Sequence, residues 1–241
     1  MAFATQPGTL DEPQQDGGKK IIQEVQGRPD LPGDLMIGVG FSIYSNTPEG
    51  MGQNIWRSKL FSVHYLRDLN AFGESKFSVH AGLGFSFERF AFGNAVTIGN
   101  VPNDEGNLEM SLIQLNDVYD EATIGKTKLA MNYFEIPLEF RWRSNRYDPK
   151  KGLIITAGAR GGYLFRSHTK VKYSQGGETK HTKQRERFNQ NNFRVTAFGK
   201  IGYGNFGLFY QHSFTPQFKT NEGPLNTDMS VTNVGISFAL F

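Results

Sequence analysis

There is no cysteine among the 241 residues, which excludes disulfides, thiol chemistry and a cysteine-linked lipid anchor. No run of about 18 apolar residues is present either, so the chain cannot cross a bilayer as a helix. It lacks a charged start followed by an apolar stretch, the mark of a secretory signal, and an exported protein with this sequence is expected to be a mature form. The net charge is only +3, and the basic residues are spread through the chain. Nucleic acid is therefore not an expected partner.

Phenylalanine (21 residues) and glycine (28 residues) are abundant, and aromatics make up 13%. Hydrophobics at 38%, charged residues at 20% and a mean hydropathy of −0.45 would suit a soluble protein. A transmembrane strand, however, is half polar and escapes a hydropathy average. Composition thus excludes helical membrane proteins and leaves barrels open.

Asn132 to Arg143 carries the clearest pattern. Phe134, Ile136, Leu138, Phe140 and Trp142 fall on every second position, with Tyr133, Glu135, Pro137, Glu139, Arg141 and Arg143 between them. That is a strand period. One face is bulky hydrocarbon and the other alternates carboxylates with guanidiniums, so the strand needs two solvents. A closed barrel in a bilayer supplies both.

The same alternation predicts eight strands: Leu35 to Tyr44, Ser58 to Arg67, Lys76 to Phe90, Asn132 to Arg143, Leu153 to Phe165, Phe193 to Tyr203, Asn205 to Phe214 and Val231 to Phe241. Gly204-Asn205 marks a tight hairpin. Connections alternate short and long, the longest being Gly93 to Gly125 and Thr169 to Asn191. This fits an outer-membrane barrel with short periplasmic turns, longer extracellular loops and both termini periplasmic. Residues 1–33, rich in Pro, Gly and acidic residues, read as a flexible periplasmic leader, and residues 34–241 as the barrel.

Periodicity does not say which face is inside, and a soluble lipocalin-like barrel would turn the apolar face inward around a ligand. Two features favour lipid outside. The polar face combines glycines (Gly38, Gly82, Gly84, Gly158, Gly162) with a candidate lumen network of Glu88, Glu135, Glu139, Arg141, Arg160, Arg194 and Lys200. Aromatics gather near strand ends, at Tyr44, Tyr65, Phe92, Tyr133, Trp142, Tyr163, Tyr203 and Phe214, as interfacial girdles require. Phe241 ends the chain with the parity opposite to Val234, Ile236, Phe238 and Leu240.

The residues offer three sharper candidates for a site. His64 and His80 are equidistant from Phe72, so a symmetrical hairpin would set them face to face. A shared metal would need further ligands that the sequence does not place, and two hydrogen-bonded lumen histidines are expected instead. His212-Ser213 resembles the dyad of outer-membrane lipid A deacylases, but adjacent strand residues point to opposite faces. No catalytic residue, metal or cofactor is assigned. Pro137 removes a ladder donor, and a local bulge is expected there.

Charge points to the loops as the working surface. Gly93 to Gly125 carries Asp104, Glu105, Glu109, Asp117, Asp120 and Glu121, while Thr169 to Asn191 carries a basic patch of Lys170, Lys172, Lys180, Lys183, Arg185 and Arg187. The two are expected to bridge each other over the mouth; the alternatives are lipopolysaccharide phosphates or a docked partner protein for the basic patch.

NYFEIPLEFRWR, GLIITAGARGGYLF, GKIGYGNFGLFYQHSFTPQF and the closing VGISFALF resemble the PorT-like family of small outer-membrane β-barrels from Bacteroidota, over about Asp34 to Phe241. The resemblance implies an eight-stranded barrel in the outer membrane of a Gram-negative cell. The family's namesake is an accessory of type IX secretion. The expectation is a non-enzymatic barrel, an accessory or scaffold of an envelope or secretion complex, in contact with outer-membrane lipid, lipopolysaccharide and other envelope proteins. The alternatives are a lipid A-modifying enzyme and a small-ligand-binding or narrow-channel barrel.

Overall fold

Alternating side chains can close a sheet only if the strands meet edge to edge, and here they do. The computed structural model describes residues 33–73, 75–102, 105–145 and 151–240; the expected leader, except Gly33, and Phe241 lie outside them. The strands are β1 (Asp34–Ser45), β2 (Lys59–Asp68), β3 (Phe77–Ala91), β4 (Val96–Pro102), β5 (Leu108–Gln114), β6 (Thr123–Arg143), β7 (Leu153–Gln175), β8 (Glu178–Gln184), β9 (Phe193–Tyr203), β10 (Phe206–Ser213) and β11 (Ser230–Ala239). Eight of them run β6-β3-β2-β1-β11-β10-β9-β7, and a β6–β7 pairing closes the antiparallel barrel. Closure leaves these strands no free edge.

Short turns join β2 to β3, β6 to β7 and β9 to β10 at the end that also holds Asp34 and Ala239. The β9–β10 turn is the tightest: Tyr203 pairs with Phe206, and Gly204 takes the left-handed conformation at φ 60° that the reversal demands. Ile136, Leu138, Phe140, Ile155, Val195 and Leu208 are exposed on the outer wall. Their polar neighbours face inward.

The long connections are not plain loops. Gly93 to Gly125 contains the β4–β5 hairpin, a helical turn at Leu115–Val118 and the start of β6, and Thr169 to Asn191 contains the end of β7 and the added strand β8. Crossing a bilayer takes about 9–11 residues per strand, whereas β6 has 21 and β7 has 23. Their excess continues beyond the barrel. Alternation marks only the lipid-spanning part, because beyond it neither face meets lipid.

Two local details differ from expectation. No bulge occurs at Pro137: β6 keeps one register with β3, from Ala81↔Leu138 to Gly84↔Glu135, and the two intervening pairs lapse. The missing N–H weakens one ladder without shifting it. The β6–β7 ladder shifts register twice, between Ile124 and Lys126 and at Asn132/Tyr133, where Asn132 faces Arg166 and Tyr133 faces Leu164. Phe165 is left as the extra residue, which reverses the facing of β7 beyond it. Ser167, Thr169 and Val171 are consequently buried, while Arg166, Lys170 and Lys172 are exposed.

Candidate functional site

The barrel interior has three layers. At the long-loop end, Phe90, Leu129, Met131, Tyr133 and Leu164 from the wall pack with Met51, Val96, Ile98, Met110, Phe188, Phe218 and Met229 from the connections. The connections thus fold down and cap the barrel with hydrocarbon. Tyr44, Phe92 and Tyr133, expected in an interfacial girdle, belong to this cap, because their parity points them inward. Tyr65, Tyr163, Tyr203 and Phe214 are exposed on the outer wall.

The middle layer is ionic. Arg194 on β9 donates to Glu88 at 2.9 Å and to Glu135 at 2.8 Å, and its guanidinium lies 3.6 Å from the Tyr133 ring centroid. Arg160 stands 3.7 Å from Glu135 and donates to Gln211 at 2.9 Å. Glu135 also bonds His64 Nε2 at 2.8 Å, and Glu88 accepts from Asn233 at 3.1 Å. Nearer the short-turn end, Glu139 accepts from Lys200 at 2.5 Å and Arg141 at 2.9 Å, and Arg141 also pairs with Asp34.

Four carboxylates (Asp34, Glu88, Glu135, Glu139) therefore meet four cations (Arg141, Arg160, Arg194, Lys200). Burying so many charges is tolerable only because each is paired. Glycines make the room: a Cβ on Gly84 would stand 2.3 Å from His64 Cδ2, and one on Gly162 3.1 Å from Arg194 Cγ. The structure thus places all seven candidate lumen residues in one connected interior. Asp34, His64, Gln211 and Asn233 join them, which parity allowed but only the register reveals.

The third layer is a vestibule of about 760 Å³ at the short-turn end, lined by Asp34, Arg67, Asp68, His80, Arg141 and Arg143 among others. Arg141 Nη2, Arg143 Nε and His80 Nδ1 are buried there, with no hydrogen-bond partner among the described residues. His80 faces Asp68 across the hairpin and His64 faces Gly84, so the two histidines are not opposite each other. The turn is centred two residues beyond Phe72. Among the described residues no group of three or more His, Asp or Glu side chains converges on a metal position.

His212 and Ser213 take opposite faces. His212 Nδ1 shares a hydrogen with Thr232 Oγ1 at 2.8 Å on the outer side, and the buried Ser213 donates to the Thr215 carbonyl at 3.0 Å. They form no dyad.

On the long-loop side, Lys170 and Lys172 lie on β7 and Lys180 and Lys183 on β8, with Arg185 and Arg187 just after it. Arg187 is turned back onto the Asn192 side chain at 2.9 Å. The acidic and basic segments meet through a Tyr119–Tyr173 ring stack at 4.2 Å, a hydrogen bond from Tyr119 to Thr182 at 3.2 Å and one from Asn100 to Glu186. Aromatic and amide contacts thus join the two segments. Asp104 lies outside the described residues.

Residues 33–226 match the family model described as an outer membrane protein beta-barrel domain. No curated protein matches the chain. Among solved structures, the attachment invasion locus protein Ail of Yersinia pestis, in complex with the heparin analogue sucrose octasulfate, is 11% identical, with a TM-score of 0.30 over 86% of this chain and 97% of that one. A mutant porin from Rh. blastica is 12% identical, with a TM-score of 0.15 over 86% of this chain and 99% of that one.

Proposed function

The chain belongs to the outer membrane protein β-barrel domain family, and on that premise we propose that it is a non-enzymatic accessory or scaffolding component of an envelope complex. The observation that carries this reading is the filled interior. The apolar cap around Phe90, Met131 and Phe218 closes one end, and the Glu88–Arg194–Glu135 layer spans the lumen beneath it. A barrel of eight strands has an interior that side chains just fill, which argues against a diffusion path through this one. What remains for function is the surface: the short-turn end, which we assign to the periplasm, and the outer platform of β4, β5, β8 and the extended parts of β6 and β7. The resemblance to PorT-like barrels supports an accessory role, and the basic patch supports contact with lipopolysaccharide.

Affinity purification in mild detergent from native outer membranes, with mass spectrometry of what is retained, tests the reading. A stoichiometric envelope partner is the expected result, and recovery of the barrel alone would sink it. Stepwise conductance in a planar bilayer would contradict the filled lumen.

A second reading, binding of a small anion from the periplasm, is favoured by the vestibule. Its size lies within the usual range for ligand pockets, about 300–1,000 Å³, and its lining includes Arg141 and Arg143, whose buried Nη2 and Nε have no hydrogen-bond partner among the described residues. Calorimetric titration of the folded barrel with succinate and with inorganic phosphate tests it; absence of heat with both would remove this reading.

A further inference from the structure

The outer wall carries a second charged feature, separate from the lumen. Above the apolar band, the outward-facing residues change from hydrocarbon to cations. On β2 and β3, Phe61 pairs with Phe87, and the next outward pair is Lys59 with Arg89. On β6 and β7, Lys128 faces Lys170 and Lys126 faces Lys172. Lys170 also faces Lys183 across the β7–β8 ladder. The Phe165 bulge brings the β7 cations onto this face: without it, Ser167, Thr169 and Val171 would point outward and the cations inward.

Like charges directly opposite on one sheet face sit about 5 Å apart and destabilise the pair. Here four such pairs adjoin one another, and among the described residues none of these cations makes an ion pair with a carboxylate. An anion seated on this wall would supply the counter-charge that no described carboxylate provides. Several heads are held at the upper edge of the apolar band. Arg89 is anchored to the Glu88 carbonyl at 2.8 Å and to Asn132 at 3.0 Å, and Lys59 lies 4.2 Å from the Phe41 ring centroid. The rings of Phe85, Phe134 and Phe165 cluster just below. In an outer membrane that level is where lipid headgroups begin.

We propose that this face, centred on Arg89, Lys128, Arg166 and Lys170, binds the phosphate groups of outer-leaflet glycolipid. Arginine's planar fork matches a phosphate bidentately, and basic residues just outside the hydrocarbon attract anionic headgroups at roughly 1 kcal/mol each. Burial, followed by the charges of Lys126, Arg89, Arg57 and Lys170, lowers the Lys128 ammonium below its ordinary value. A phosphate seated among these groups would relieve that repulsion. The inference rests on the long-loop end facing outward, and it locates the lipid contact on the wall of the barrel, below the loop tips.

The test uses the full chain in nanodiscs of phosphatidylcholine containing either bis-phosphorylated lipid A or the same lipid A stripped of phosphate. Bound lipid is read by native mass spectrometry and stability by the unfolding midpoint. The phosphorylated form should be retained and should raise the midpoint by several degrees, and the stripped form should do neither. The double substitution Arg166→Gln with Lys170→Gln should reduce retention about tenfold and, because it removes the Lys128–Lys170 and Lys170–Lys183 repulsions, should not lower the midpoint in pure phosphatidylcholine. Equal retention and equal midpoints for both lipids in the wild type would overturn the proposal, whatever the variant does. An equal rise with inorganic phosphate at matched concentration would overturn the lipid assignment in favour of a free anion. Conductance or the lack of a protein partner would end the scaffold reading and leave this result untouched.

Discussion

Arg194 on β9 reaches across the lumen to Glu88 on β3, 2.9 Å away, with both side chains buried. The two strands are not neighbours in the sheet, so this pair ties opposite walls together. Removing one member of a buried pair typically costs about 3–5 kcal/mol because the other is stranded. Arg194→Ala would strand Glu88 and Glu135 together. It is expected to lower the urea midpoint of the detergent-folded barrel markedly, and Arg194→Lys should restore little, since one ammonium cannot reproduce the fork to both carboxylates. A wild-type midpoint for Arg194→Ala would show that the network is dispensable.

Leu138 and Glu139 are adjacent on β6 and face opposite solvents: Leu138 is 54% exposed and Glu139 is 1% exposed. A cation at the middle of the lipid face costs about 2–4 kcal/mol. Leu138→Arg should therefore block assembly in vesicles, read as loss of the heat-modifiable band. Glu139→Gln should still assemble but unfold earlier, because Lys200 and Arg141 lose their shared carboxylate. The opposite pattern would invert the face assignment.

Gly84→Ala should be among the more damaging single-methyl changes. Its Cβ would meet the Val63 carbonyl at 2.5 Å and His64 Cδ2 at 2.3 Å, so His64 must leave Glu135. Overpacking of this kind costs about 1–3 kcal/mol. Gly161→Ala on the same barrel is the control, since nothing lies within 4 Å of the added carbon. Equal unfolding midpoints for the two variants would refute the argument from crowding.

His168 sits outside the lipid-spanning part of β7. Burial first, then Lys183, Arg89, Arg166 and Arg185, push its imidazole from 6.5 down to about 4. The unfolded chain accordingly takes up a proton below pH 6.5 that the folded chain refuses. The resulting loss of stability is absent above pH 6.5, grows as pH falls, and levels off near pH 4. His168→Gln should lack this loss, so the wild-type minus variant difference in stability should fall as pH drops across that window in unfolding titrations. Bound phosphorylated lipid should raise the imidazole value, visible as an upward shift of its NMR titration.

All eight barrel strands were legible in the sequence because the alternation of lipid-facing and lumen-facing residues has a period of two, which Phe134 to Trp142 display without interruption. The same parity located Glu88, Glu135, Arg160 and Arg194 on the inner face, and it separated His212 from Ser213. What parity cannot supply is register. Whether His64 meets His80 or Glu135, and whether Glu139 binds Lys200, depends on how far each strand slides past the next, a quantity held by turns and by the closure of the whole sheet. The β4–β5 hairpin, β8 and the apolar cap were hidden as well, because segments outside the bilayer have no lipid face to mark them. Arg166 and Lys170 are the sharpest case. By uninterrupted alternation they belong inside, and one extra residue at Phe165, seen only when β7 is laid against β6, turns them out.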